Sequence, residues 1–236
     1  MRSDTQWPML AHPRLCGRPS GRSRPRRLWR LLAANPYNRS RLKSVVIDIG
    51  CGERKYPGSV GVDVAPLKTV DVLADIRRGL PFRDSSVDGV HASHILEHFN
   101  ELVPLMDEIW RVCRPGARVY ITVPHASSSY MTWRDPTHRR GVNLSALTYF
   151  DKSSFDGTLF KYYTKADFRP VYTRLRFVAR GNLGRHAPGR GLLAKLFTDA
   201  LEAIANNGAT SQYLCERWWG QWFGIAEAYA VLEAVK

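Results

Sequence analysis

From Ser44 onward, short apolar runs rich in β-branched residues alternate with polar residues and turns, as buried parallel strands do. Val45-Val46-Ile47 ends at Asp48 before a Gly50-Cys51-Gly52 turn, Val60-Gly61-Val62 at Asp63, Val70 to Leu73 at Asp75, and Val87 to Ala92 at Ser93. These predict four strands whose carboxyl ends are polar. Asn100 then precedes an amphipathic helix with Leu102, Leu105, Met106, Ile109 and Cys113 on one face, stopped by Pro115-Gly116. Val119 to Val123 reads as a fifth strand ending at Pro124-His125. Leu193, Leu196, Phe197, Ala200, Leu201 and Ile204 stand at helical spacing over 192–205, and Tyr229 to Val235 reads as a final strand. Strands alternating with helices predict one doubly wound α/β domain with a mostly parallel sheet.

Residues 126–190 break this rhythm. They are rich in Ser, Thr, Tyr and Arg, are interrupted by Pro136 and Pro170, and read as a substrate-side insertion with one or two strands, such as Thr173 to Val178. The expected organisation is a basic arm (1–43) and a domain (44–236) made of a ligand-binding half (44–125), the insertion (126–190) and a C-terminal helix and strand (191–236).

Composition, 44% hydrophobic and 24% charged in 236 residues, is that of a globular chain with one sizeable core. Of the net charge of +14, ten arginines and Lys43 against Asp4 place +10 within residues 1–43. The arm has too little apolar periodicity to fold unaided before about Leu28, so a nucleic-acid partner through phosphate contacts stays open, beside a transit peptide or a solvated appendage. Arg26-Arg27 only faintly imitates a twin-arginine signal, since the apolar run stops at Asn35-Pro36. No membrane-spanning run exists, and Cys16, Cys51, Cys113 and Cys215 lie far apart with no metal-ligand spacing. A cytoplasmic protein with reduced thiols and no metal cluster is the expectation.

In an open parallel sheet a ligand sits beyond the carboxyl ends of the strands, where strand order reverses. Glycines at 50 and 52 would let backbone approach it, and Asp63, ending the second strand, is placed to accept hydrogen bonds from ribose hydroxyls. A dinucleotide site would need a third glycine and a full helix to hold pyrophosphate. Lys55 stands at that position, and only ten residues (53–62) separate Gly52 from Asp63. A nucleoside cofactor without phosphate fits better. Each residue also has a plainer reading, as a turn glycine or a solvated strand-end carboxylate.

Val45 to Gly52, Gly61-Val-Asp63, Ala74-Asp75, Leu80-Pro-Phe82, Ser93-His-Ile-Leu-Glu-His98 and Arg114-Pro-Gly116 together resemble class I S-adenosylmethionine-dependent methyltransferases of the type 11 group. The resemblance covers about residues 44–125 and implies a Rossmann-like sheet with S-adenosylmethionine as cofactor. It implies that Gly50 and Gly52 line the methionine part, Asp48 reaches its amino group, Asp63 takes the ribose, Asp75 and Ile76 meet the adenine, and Ser93 closes the site. His94 and His98 either line the pocket or brace the following helix. Trp133-Arg-Asp-Pro-Thr-His138 with Tyr149-Phe150 resembles a subset associated with sugars or other cell-surface building blocks, although Arg139 to Val142 lacks the aromatic residue usual after the histidine.

Methyl transfer to a hydroxyl, the expected chemistry on a small-molecule or sugar-type acceptor, needs positioning and a general base. His125 and His138 are the candidates, with Asp135 as an orienting partner. An RNA methyltransferase using the arm is the rival enzyme, although Ser93-His94-Ile95 stands where an N-P-P-Y motif would be expected. A non-catalytic partner-binding module, with Trp218, Trp219 and Trp222 as a surface, is the rival from another class.

Overall fold

In the computed structural model, which describes residues 44–154, 159, 161–177 and 192–236, the β-branched runs form a sheet. Its strands are β1 (Val46–Ile49), β2 (Val60–Asp63), β3 (Val72–Leu73), β4 (Val87–Ser93), β5 (Cys113–Pro124), β6 (Phe168–Arg176) and β7 (Glu227–Ala234), in the order β3-β2-β1-β4-β5-β7-β6. β1 pairs in parallel with both β2 and β4, and β5 with β4, while β7 runs antiparallel to β5 and β6. The expected mostly parallel sheet is thus observed. The chain runs outward from β1 to β3 and returns to the other side of β1 as β4, so strand order reverses between β1 and β4.

Helix α1 (Leu102–Val112) joins β4 to β5 and buries Leu102, Leu105, Met106, Ile109 and Val112. This is the predicted stripe, one residue shorter at its end, because Cys113 has extended backbone and begins β5. Ile47, Ile49, Val90, Ala92, Val119 and Ile121, alternate positions on three central strands, belong with α1 to one apolar cluster. Arg114-Pro-Gly116 lies inside β5, where the register jumps from Val87↔Cys113 to Gly89↔Arg118. The extra residues bulge out, with Gly116 at φ +79. On α1, Glu108 accepts from the Leu80 N–H, and the Arg111 guanidinium donates to the Leu80 and Phe82 carbonyls, fastening the Leu80-Pro-Phe82 loop.

Short helices α2 (Ser129–Trp133) and α3 (Leu144–Thr148) follow, each capped by a side chain, Ser128 and Asn143. β6 starts earlier than the sequence suggests and is an edge strand of the main sheet, beside β7, within the stretch read as an insertion. Pro170 is tolerated because it sits at the edge, at a register shift between Pro170 and Tyr172. Beyond it come α4 (Leu192–Ala205), α5 (Ala209–Leu214), a π-helical turn (Cys215–Trp219) and α6 (Gly220–Phe223). α4 has the predicted extent, but its apolar stripe is buried only in part. Leu201 and Ala205 are buried, whereas Leu196, Phe197 and Ile204 are exposed, as are Trp218 and Trp222.

Cys51, Cys113 and Cys215 are buried free thiols; burial pushes Cys51 up to about 11 and the other two up to about 12, leaving little thiolate at neutral pH. Among the described residues no helix is long and apolar enough to cross a membrane. The basic arm, Cys16, Asn35-Pro36 and residues 178–191 lie outside the described residues.

Candidate active site

The carboxyl ends of β1, β2 and β4 meet at the glycine turn. Its backbone is tied to β2 by Gly50 N–H and Cys51 N–H donating to the Val62 carbonyl (2.8 and 3.3 Å), and Gly52 N–H donates to Asp63 Oδ2 (2.9 Å). Ala65 N–H donates to Asp63 Oδ1 (2.9 Å), so each carboxylate oxygen is half used and keeps a lone pair. Residues 50–59 form turns without a helix. Lys55 folds back onto Asp71 (2.6 Å), whose carboxylate also accepts from Gly61 N–H. The position where a dinucleotide site needs glycine is therefore a strut from the β1–β2 connection to the residue before β3.

The two turn glycines differ. Both have left-handed backbone, φ +65 at Gly50 and +51 at Gly52. A Cβ on Gly52 would meet nothing within 4 Å, leaving room for a ligand against its backbone, whereas one on Gly50 would lie 2.5 Å from Ile95 Cδ1. Gly50 is thus a packing requirement of Ile95 in the structure. Urea denaturation is expected to show Gly50→Ala costing about 3 kcal/mol, left-handed strain plus overpacking, and Gly52→Ala only about 1 kcal/mol. An Ile95→Ala background should narrow that gap; equal costs in the wild-type background would contradict the packing argument.

Asp48 does not end its strand. It pairs in register with Gly61 and His91, its side chain is almost wholly buried, and its two oxygens meet His91 Nδ1 (2.8 Å) and Tyr56 N–H (2.7 Å). The Tyr56 ring stacks on His91 at 4.8 Å. A ligand amine would have to compete with both bonds. Asp75 caps the 3₁₀ turn Ile76–Arg78 by accepting from Arg77 N–H, and the Arg77 guanidinium beside it lowers its carboxyl below the usual range. Ile76 is in the core, and a groove runs past Ala74, Asp75, Leu80 and Arg111.

At the end of β4, His94 has φ +53, unusual for a non-glycine residue. Its imidazole lies between Glu97 (3.4 Å) and Glu227 (3.5 Å). Burial opposes its charge, but the two carboxylates outweigh burial and push it to about 9, so it is cationic at neutral pH and no general base. Ser93 pairs with Thr122.

His125 is buried at the end of β5. Ser127 N–H donates to its Nδ1 (3.1 Å), which fixes the proton on Nε2, and Nε2–H donates to Glu216 (2.8 Å). Both ring nitrogens are engaged, Nε2 bracing β5 against the π-helical turn and Nδ1 holding the loop after β5. Glu216, unremarked in the sequence, also accepts from Leu144 N–H and Ser145 Oγ. No spacing pattern links it to a histidine 91 residues away. His138 differs: its Nδ1 lies 2.6 Å from the Thr132 carbonyl and so carries the proton, leaving an Nε2 lone pair 3.8 Å from Glu97 and from Asp135. Asp135 accepts from Thr137 N–H and hydroxyl and from there reaches His98, whose ring meets that of His138 edge-on at 4.7 Å. His94 and His98 therefore diverge, one toward Glu227 and one toward the loop of the Asp-Pro-Thr-His motif.

Residues 47–121 match the family described as "Methyltransferase domain", and this segment contains the glycine turn, Asp63, Asp75 and the end of β4. A curated protein of Mycolicibacterium smegmatis named "Probable S-adenosylmethionine-dependent methyltransferase" is 31% identical over 124 residues, 44% of this chain and 48% of that protein. The chain thus spans about half the length of the curated relative it matches. Among solved structures, a SAM dependent methyltransferase from Archaeoglobus fulgidus covers 87% of this chain and 91% of its own at 19% identity (TM-score 0.47). The YcgJ protein of Bacillus subtilis covers 83% and 93% at 15% identity (TM-score 0.44).

Proposed function

We propose, from the methyltransferase domain at residues 47–121, that this chain transfers a methyl group from S-adenosylmethionine to a hydroxyl of a small-molecule or sugar-type acceptor. The observation that carries the reading is the turn at 50–52. Gly52 is open where a side chain would stand and is tied to Asp63, in a β1–β2 connection with no helix to hold a pyrophosphate. When bound, S-adenosylmethionine would supply a sulfonium methyl group open to in-line attack by the acceptor oxygen, the C–S bond breaking and the neutral thioether leaving. Gly52 lies against the methionine part, Asp63 offers its remaining lone pairs to the ribose hydroxyls, Asp75 and Ile76 border the adenine, and Ser93 closes the site from β4. Asp48 holds Tyr56 and His91 in place behind the turn.

An aliphatic hydroxyl ionises far above neutral pH and needs a proton acceptor. With both nitrogens of His125 engaged and His94 cationic, His138 Nε2 is the base, and the Thr132 carbonyl on Nδ1 orients its ring, while Asp135 stands 3.8 Å from Nε2. The full chain, given methyl-labelled S-adenosylmethionine and a panel of free sugars and glycosides, should form an alkali-stable labelled ether. His138→Ala should lower kcat by about 100-fold or more with little change in cofactor affinity. Label entering RNA but no acceptor hydroxyl would overturn the acceptor assignment.

A further inference from the structure

We propose that Glu97, His98 and His138 form a binding site for one divalent transition-metal ion of the zinc and cobalt class. The Glu97 side chain is fully buried, and neither carboxylate oxygen has a hydrogen-bond partner. An ionised carboxylate left in this way is costly unless a cation compensates it. His94, held cationic by Glu97 and Glu227, offsets part of that charge from 3.4 Å but is shared with Glu227, and His138 Nε2 stands at 3.8 Å; both Glu97 oxygens still lack a hydrogen bond. One ligand atom from each of Glu97, His98 and His138 lies within 4.8 Å of the other two, and an ion at about 2 Å from each would have to draw the side chains inward.

The second observation is the tautomer of both histidines. His138 Nδ1 donates to the Thr132 carbonyl. The Thr137 hydroxyl donates to Asp135 Oδ1 (2.6 Å), so its oxygen accepts from His98 Nδ1 (3.1 Å). Each ring therefore carries its proton on Nδ1, fixed by a carbonyl in one case and a hydroxyl–carboxylate relay in the other, and holds its Nε2 lone pair available. Metal-ligating histidines are oriented by this kind of outer partner. Two imidazoles and one carboxylate suit zinc, cobalt, iron or manganese rather than calcium or magnesium, and leave coordination positions open. The arrangement also accounts for the Asp-Pro-Thr-His loop. Arg139 and Arg140 N–H groups both point at the Glu97 carbonyl (2.8 and 3.3 Å), which places His138 over a carboxylate 41 residues earlier.

Glu97 and His98 follow the end of β4, beside the proposed acceptor side. With an ion bound, His138 Nε2 is a ligand, and the ion rather than the ring would lower the pKa of an acceptor hydroxyl. That consequence rests on the methyl-transfer reading, whereas ion binding does not.

The test is titration of the untagged, chelator-treated full chain with Co²⁺, read by visible absorption, followed by competition with Zn²⁺. One ion per chain is expected, with a spectrum of nitrogen and oxygen ligands. His98→Ala, at a partly exposed position, and His138→Ala should each weaken binding more than about 100-fold, and Thr137→Val, which frees His98 Nδ1, about 10-fold. Circular dichroism of each variant establishes that it is folded. No stoichiometric binding, or binding unchanged in folded His98→Ala, would overturn the proposal. S-adenosylmethionine titration of the metal-free chain tests the cofactor reading separately, so failure of one is distinguishable from failure of the other.

Discussion

Asp63→Asn is expected to weaken S-adenosylmethionine binding by about 100-fold or more, equivalent to about 2.7 kcal/mol, although it changes a single oxygen into an NH₂. Both carboxylate oxygens already accept backbone N–H groups, from Gly52 and Ala65. Whichever way an asparagine turns, its NH₂ faces one of those donors. The turn is then pushed away from β2, and the acceptor that a ribose hydroxyl requires becomes a donor. Charged hydrogen bonds of this type contribute about 1.5–3 kcal/mol each, so losing one to the ligand and straining another accounts for the expected effect. Binding measured by fluorescence competition should show it, with circular dichroism confirming the fold. Near-wild-type affinity would reduce Asp63 to a turn brace.

A loss of stability as large as that of Gly50→Ala is expected at Glu216. Burial disfavours its ionised form, but the His125 Nε2–H, the Leu144 N–H and the Ser145 hydroxyl outweigh burial and hold its carboxyl below the usual range. Glu216→Ala leaves the buried His125 N–H without an acceptor and should cost about 3 kcal/mol in urea denaturation at pH 7. Because the folded-state value is depressed, the contribution is fully present above the unfolded value of about 4.3 and is lost as pH falls through the folded one. The stability gap between wild type and Glu216→Ala should therefore be wide at pH 7 and shrink below pH 4. A gap independent of pH would show that shape, not charge, holds the π-helical turn to β5.

The strands were legible because apolar, often β-branched residues recur along them up to a polar end, even where Asp48 interrupts β1 and Asp88, Gly89 and His91 interrupt β4. Legibility failed where tertiary packing decides. The stripe on α4 marks a real helix, but periodicity cannot say that Leu196, Phe197 and Ile204 stay exposed, Phe197 meeting the Phe223 ring edge-on. Arg114-Pro-Gly116 has the composition of a stop, yet pairing resumes beyond it because a bulge absorbs the proline and glycine. Pro170 reads as an interruption, and an edge strand accommodates it.

At the site, the residues of the glycine turn and β2 were found from local sequence because their contacts are local: Gly52 and Asp63 are eleven residues apart. Asp48 was recognised, but its partner His91 comes from strand register, which the sequence does not reveal. His125 stood out as a histidine at a strand end, and nothing nearby in the chain indicated that Glu216 had already engaged it. The same limit concealed the meeting of Glu97, His98 and His138, which depends on a loop returning over β4. Histidines with no metal-ligand spacing in sequence still converge when a backbone carbonyl docks that loop.

The most direct test of the central claim, that the turn at 50–52 and Asp63 form a nucleoside cofactor site without a pyrophosphate subsite, is calorimetric titration of the full wild-type chain with S-adenosylmethionine and, in parallel, with a nicotinamide dinucleotide. Saturable binding of one S-adenosylmethionine per chain with no heat from the dinucleotide is the predicted result. A folded chain that binds the dinucleotide, or that binds neither, would contradict it.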